Sequence, residues 1–365
     1  MVMRVLVIGG TGNFGGTILR ALAGDTELQL LIGSRDAARA QALAATLPGA
    51  EGHAIDITQD LAAAFARIRP DLVIHTSGPF QDQGYTVAEA CIAAGAHYLD
   101  LADARAFVAG IGALDAAARK AGVLVVAGAS SVPCLTAAVI DHYRPGFARL
   151  TGIDYGISAA QQTNRGLATT SAILSYMGRP FTTLRDGRER RVHGWHGLHA
   201  RRYPELGLRL FGHCDVPDLA LFPARYPELR DIRFGAGHEI KLLHLGGWAA
   251  AWLVRAGLLR SLQPWSRLIL GVARGFDWMG SNRSGFHMIL RGEGPDGAPR
   301  ERLFQLIARQ GHGPSIPCMP AILLARRLAR GLATRGAMPC LDLITLEDYL
   351  AGLEGLDITV LAEDA

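Results

Sequence analysis

Lysine is almost missing from this chain: of 37 basic residues only Lys120 and Lys241 are lysines, and the rest are arginine. Two kinds of chemistry are thereby set aside. A tyrosine–lysine acid couple at four-residue spacing cannot form, because Ala116 and Gly237 stand four places before the two lysines. A lysine Schiff base has no recognisable pocket motif to occupy. Cysteine is also sparse, and Cys91, Cys134, Cys214, Cys318 and Cys340 are scattered, odd in number and without a C-x-x-C pair. That pattern argues against a disulfide framework or a zinc ribbon and fits a reducing, cytoplasmic setting. The amino terminus enters a strand within five residues, so no room for a signal peptide is expected. Long apolar runs are missing too. The segment 242–276 is broken by Arg255, Arg260, Arg267 and Arg274 into pieces shorter than the ~20 residues of a spanning helix, so no membrane span is expected. The net charge of +4 is modest, and no like-charge block or basic–aromatic stripe of the kind that binds nucleic acid is present.

What is present begins at once. Val5, Leu6, Val7 and Ile8 form the apolar run of a strand buried on both faces, and GGTGNFGG follows directly. Gly10, Gly12 and Gly15 satisfy G-x-G-x-x-G, while Gly9, Gly12 and Gly15 satisfy G-x-x-G-x-x-G; a helix should start near Asn13. Strand, glycine turn and helix in sequence give a dinucleotide site, in which a diphosphate reaches main-chain N–H groups at the helix amino end. Gly9, Gly10, Thr11, Gly12, Asn13, Phe14 and Gly15 are the candidate contacts.

The second βα unit bears on which dinucleotide. A strand is expected over 28–32, and about twenty residues past Gly15 an NAD site would hold an acid. Ser34 and Arg35 stand there instead, a hydroxyl and a guanidinium suited to a 2′-phosphate, so NADP is expected. Asp36, one place on, can bind a ribose hydroxyl or cap the helix expected over 37–45. Asp56, past the third strand, can lie beside the adenine or cap the next helix. The fourth strand, 71–75, runs into Thr76, Ser77, Gly78 and Pro79, a small-residue turn that lets a cofactor approach closely. A helix over 85–94, a strand over 97–101, a helix over 104–121 and a strand over 123–126 complete six strands. The fold class is α/β: a Rossmann doubly wound parallel sheet plus a second, mixed α+β domain.

Four stretches, VLVIGGTGNFGG, SGPFQDQG, AGAHYLDLAD and VVAGASSVPCLTAAVID, resemble the NADP-binding domain of the saccharopine dehydrogenase-like reductases, and HGPSIPCMPAILLARRL with GAMPCL is similar to the carboxyl-terminal part of bacterial members. The resemblance implies a nicotinamide-dependent hydride transfer. It puts Gly9 to Gly15 on the diphosphate, Ser34 and Arg35 at the adenosine phosphate, Thr76 to Pro79 beside the cofactor, and the loop 128–133, including Ser130, near the nicotinamide. The central segment carries no motif for glutamate or aminoadipate recognition, which turns the expectation away from lysine metabolism. An imine or an activated alkene is the expected electrophile, because such a substrate suits a site without a strong built-in acid. The other class that fits is an NADP-binding sensor or scaffold that does not turn the cofactor over. The size of the second domain favours the enzyme, since the added residues can build a substrate wall.

The expected boundaries are 1–129 for the Rossmann domain, 130–313 for a substrate and dimerisation domain, and 314–365 for a tail packing back on the first. A strand over 150–157 opens the middle part, and 289–293 with 302–308 read as a hairpin at a sheet edge around Gly294-Pro295-Asp296-Gly297. The tail carries a helix over 321–332 and a strand over 358–361. His193, His196 and His199 recur every third residue, but on a strand such a set points to alternate faces, and no metal site is expected. Asp215 and Asp218 are either a paired acid and base or, the preferred reading, turn residues around Pro217. His238, in FGAGHE, is the candidate proton donor, with a core histidine as its rival. Trp248, Trp252 and Trp265 suggest either core helices or the face of a homodimer.

Overall fold

The computed structural model describes residues 2–163 and 166–364. It divides into two compact units, one of residues 1–138 with 314–353 and the other of residues 139–313 with 354–365.

The first unit begins with β1 (Met3–Ile8), α1 (Asn13–Leu22), β2 (Leu28–Ser34), α2 (Ala37–Ala44), β3 (Glu51–Ala54) and α3 (Leu61–Ile68). Then follow β4 (Leu72–His75), α4 (Thr86–Ala94), β5 (His97–Asp100), α5 (Arg105–Gly110), α6 (Asp115–Ala121) and β6 (Leu124–Ala127). The helix expected over 104–121 is broken, because a 3-10 turn over Ile111–Leu114 separates α5 from α6. Val5, Leu6 and Val7 in β1, and Leu72, Val73 and Ile74 in β4, are fully buried. Apolar runs without alternation are what a sheet covered by helices on both faces demands.

A helix, α7 (Thr136–Tyr143), carries the chain on to β7 (Arg149–Ala159), α8 (Leu167–Tyr176), β8 (Pro180–Arg185), β9 (Arg188–His193), β10 (His199–Tyr203) and β11 (Gly207–His213). It continues with α9 (Asp218–Arg225), β12 (Asp231–His238), α10 (Lys241–Arg255), α11 (Ser266–Arg274), β13 (Ser284–Glu293) and β14 (Pro299–Ala308). The segment rich in tryptophan is therefore two helices. The hairpin is present, with Arg291 opposite Glu301, but it is not at an edge: β13 also pairs with β7, and β14 with the last strand of the chain.

The chain ends with α12 (Ser315–Ala329), β15 (Gly336–Pro339), α13 (Leu346–Gly352) and β16 (Ile358–Asp364). β15 is a seventh strand of the first sheet, in the order β15-β6-β5-β4-β1-β2-β3, and it pairs in parallel with β6. β16 joins the second sheet, β10-β11-β12-β7-β13-β14-β16. The expectation that all of 314–365 accompanies the Rossmann domain is corrected here. Residues 354–365 go with the second unit, because β14 presents an open edge whose hydrogen-bonding groups Ile358–Asp364 satisfies. The helix expected over 321–332 begins earlier, at Ser315, and tolerates Pro320 inside it.

Candidate functional site

In the first sheet β1 lies between β2 and β4, so the connections leave it in opposite directions, and the crevice at the carboxyl ends of β1 and β4 is the switch point where ligands bind in such sheets. The glycine turn occupies that point. Gly9 adopts φ 81°, and a side chain there would meet Thr76 Oγ1 and Ser77 Oγ, each 2.7 Å from its Cβ position. The Gly12 N–H donates to Gly9 O at 2.9 Å, and a Cβ on Gly15 would stand 2.4 Å from that same oxygen. Gly9, Gly12 and Gly15 thus act as one packed unit, the second of the two sequence registers; Gly10 is held separately, with Ile32 Cγ2 2.9 Å from its Cβ position. Gly12 is the N-cap of α1 and supplies no capping side chain, and no acid lies in the first turn. The amino end of α1, at Asn13 and Phe14, is therefore electrostatically open to an anion.

At the end of β2, Thr11 Oγ1 lies 3.2 Å from Ser34 Oγ, which also accepts from the Asp36 N–H at 3.3 Å. This ties the glycine turn to the second strand. The Asp36 carboxylate is engaged as the N-cap of α2, accepting from the Arg39 N–H at 3.1 Å. Arg35 is exposed and makes no ion pair among the described residues. Asp56 caps no helix: that role belongs to Asp60, which accepts from the Ala63 N–H at 3.0 Å. Asp56 accepts from the N–H and hydroxyl of Thr58, which hold its carboxyl below the usual range, with a smaller contribution from Arg35.

Beyond β4, Thr76 donates through Oγ1 to Ile8 O at 2.9 Å. Gln83 Nε2 donates to both Ser77 O and Pro79 O, each at 2.8 Å, and so clamps the turn that includes Gly78. His75 and Asp100 end β4 and β5, both buried, with Tyr98 between them and its hydroxyl 3.1 Å from His75 Nδ1. Burial lowers His75 to about 4 and raises Asp100 to about 7. Asp100 Oδ1 accepts from the N–H groups of Ala102 and Gly128, at 2.9 and 2.7 Å, and Asp100 O accepts from the Ala129 N–H at 2.7 Å. One aspartate thus shapes the loop after β6, where Gly128 takes φ 74° and Ser130 is buried.

Fifteen of the sixteen candidate residues lie in the first unit, after β1, β2, β3, β4 and β6 at the carboxyl ends of its parallel strands. Sequence reasoning missed Gln83 and Asp100. The signal for Asp100 was available as an acid closing an otherwise apolar strand, LDLAD, for which only an internal hydrogen-bonding role makes burial affordable.

The sixteenth, His238, ends β12 in the second unit. Its ring centroid is 5.3 Å from that of Trp195 and 6.3 Å from that of His244. Glu239 beside it accepts from the Gln161 and Ser281 N–H groups, at 2.8 and 2.9 Å, and from Arg209 at 3.2 Å. No group of three His, Cys, Asp or Glu able to hold a metal ion occurs among the described residues. Of the two turn aspartates, Asp218 instead opens α9 and is fully buried.

A parallel sheet with an uncapped glycine turn at its switch point is the architecture of a dinucleotide-binding domain. Residues 5–126 match the family model of the saccharopine dehydrogenase NADP binding domain. Over those residues the chain carries an NADP-binding domain of the saccharopine dehydrogenase type. The structure of apo saccharopine dehydrogenase (L-Glu forming) from Saccharomyces cerevisiae is similar in fold, with a TM-score of 0.69 over 100% of both chains at 13% identity. Biliverdin reductase from Synechocystis sp. PCC 6803, solved with biliverdin and NADP+, gives 0.43 over 96% of each chain at 14% identity. Comparison with curated proteins finds no match. No helix among the described residues is long and apolar enough to cross a membrane.

Proposed function

We propose that this protein uses NADPH, in preference to NADH, to deliver a hydride to a small electrophilic substrate, an imine or an activated alkene. The observation that carries the cofactor choice is the end of β2. Asp36, the carboxylate next to Arg35, is already bonded as a helix cap, while Ser34 is fixed against the glycine turn and Arg35 stands exposed beside it. A 2′-phosphate on Arg35 gains a charge-assisted hydrogen bond, and the cap bond draws Asp36 Oδ1 toward α2. In this reading the residues from Gly9 to Gly15 cradle the diphosphate on the open amino end of α1. Thr76 to Pro79 form the wall beside the cofactor, Asp56 lies toward the adenine, and the Gly128–Ser130 loop held by Asp100 faces the nicotinamide. The cofactor supplies the hydride; the chain binds and orients it. His238 is the proposed proton donor, and a homodimer is the proposed assembly.

Titration of both nucleotides tests the reading. Arg35→Ala should weaken NADP by about 1.5 to 3 kcal/mol, the range for a hydrogen bond to a charged group, and leave NAD nearly unchanged. An equal loss for both would show that this arginine does not discriminate. NADPH consumption against a panel of imines, enals and ketones tests the reaction class. Tight binding with no turnover on any of them would favour a sensor. His238→Asn should lower kcat and remove one limb of its pH profile without changing the NADPH dissociation constant.

A further inference from the structure

Ten of the fifteen exposed large apolar side chains among the described residues lie between Leu242 and Met279. The concentration follows from how two helices are built. α10, KLLHLGGWAAAWLVR, has no charged residue between its ends. Its inner face buries His244, Ala251 and Val254, and the last two join Leu174, Met177, Trp195 and Leu262 in a core cluster. Its outer face is equally apolar, since Leu242, Leu245, Ala249 and Trp252 recur at helical spacing and are all exposed. α11 buries Ser266 and Leu270 and turns Leu268 and Val272 outward. The loops on either side add Leu258, 72% exposed, and Trp278, 80% exposed. So large an exposed apolar surface implies a partner.

The charges around it select the partner. Every charged residue from 240 to 276 is a cation: Lys241, Arg255, Arg260, Arg267 and Arg274. All five are exposed, and Arg255 lies over the Trp252 ring at 4.7 Å. The acids that bracket the segment are turned to internal work. Glu239 is bound by Arg209 and Ser281, and Asp277 Oδ1 accepts from Gln161 Nε2 at 2.8 Å. A second copy docked by two-fold symmetry would therefore set arginines against arginines with no carboxylate of the patch to pair them. A phospholipid surface meets both demands. Phosphate groups take the guanidinium ions, tryptophan rings sit at headgroup level, and Leu258, Leu268 and Val272 reach the acyl boundary. The geometry points to the outer face of α10 and α11 as a docking surface for an anionic lipid bilayer, which the protein would touch from one side without crossing it. This inference is independent of the cofactor reading.

Sedimentation of the full-length protein with vesicles tests it, using pure phosphatidylcholine and an equimolar mixture with phosphatidylglycerol. At low salt the protein should pellet with the mixed vesicles, with a blue shift of tryptophan emission, and should release at high salt. Two double variants, Leu268→Ser with Trp278→Ser and Arg267→Glu with Arg274→Glu, should each reduce partitioning about tenfold or more while NADPH affinity stays unchanged. Leu258→Gln, in a loop and outside either helix, gives a milder check should a double variant misfold. Wild-type protein that stays in the supernatant with both vesicle types overturns the inference. So does a dimer in sedimentation velocity that Leu268→Ser with Trp278→Ser dissociates, since a second copy would then cover this face.

Discussion

A methyl group at Gly15 would place carbon 2.4 Å from Gly9 O and 2.8 Å from Gly10 Cα, backbone atoms held by the sheet and by the turn itself. At Gly16, one residue on, the nearest atom is the flexible end of Arg20 at 3.3 Å. Gly15→Ala should therefore destabilise the first unit by about 1 to 3 kcal/mol and weaken both nucleotides, whereas Gly16→Ala should be neutral or stabilising as a helix substitution. Thermal unfolding of the two variants checks this, and equal effects would contradict the packing account. The glycines were legible in sequence because their spacing encodes a close approach. Their register was not, since both patterns match the letters and only φ at Gly9 separates them. Asp100 was legible only as an acid closing an apolar strand, and not which loop it holds, because its partners at 102 and 128 are main-chain groups that any residue supplies. Its carboxyl, raised to about 7, makes a signed prediction. The folded state holds a proton between about pH 4 and pH 7 that the unfolded chain has given up, so this contribution is full below that window and lost as pH rises through 7. In Asp100→Asn that loss should vanish, so stability relative to wild type should improve from pH 5 to pH 8; denaturant midpoints at the two values report it.

At the scale of elements, the starts of α1 near Asn13 and of α2 behind Asp36 were legible in the sequence, whereas that of α3 was not, because Asp56 was the candidate cap there. Asp36 and Asp60 cap α2 and α3, but α12 begins at Ser315 behind Pro314 with no side-chain cap, and its apolar pattern alone suggested a later start. Asp60→Ala should cost about 1 kcal/mol of stability through loss of the bond to the Ala63 N–H, while Asp56→Ala should leave α3 unaffected, because its carboxylate serves Thr58. Urea denaturation separates the two, and a larger loss for Asp56 would reverse the assignment of the cap. The short strand β15, GAMP, escaped sequence reading for another reason. Four residues ending in proline carry almost no strand signal, and the strand exists because β6 offers an edge and Asp115 Oδ1 accepts from the Ala337 N–H at 2.9 Å. β16 was read as a strand but expected with the Rossmann domain, since pairing between β14 and β16 is non-local and no period in the chain encodes it.

The whole molecule carries a pH asymmetry that follows from where its histidines are buried. In the second unit burial lowers His213 and His244 to about 4 and His287 to about 3, and it also lowers His193, His196 and His199. In the first unit His75 and His97 are lowered to about 4, but there the buried Asp100 and Asp103 shift upward and act in the opposite sense. A histidine kept neutral in the fold takes a proton on unfolding between its folded value and about 6.5, so its contribution is present above 6.5 and lost as pH falls toward 4. Across that window the second unit loses on all six histidines, while the first has two such losses partly offset by its two carboxyl groups. The second unit should therefore be the more acid-labile. The sequence provides a clean reporter, because all five tryptophans, 195, 248, 252, 265 and 278, lie in the second unit. Far-ultraviolet circular dichroism sees both units. On lowering the pH from 7.5 to 5 in a urea series, the midpoint by tryptophan emission should fall further than the midpoint by circular dichroism, and the dichroism curve should broaden into two steps. Midpoints that coincide at pH 5 would contradict a greater acid lability of the second unit.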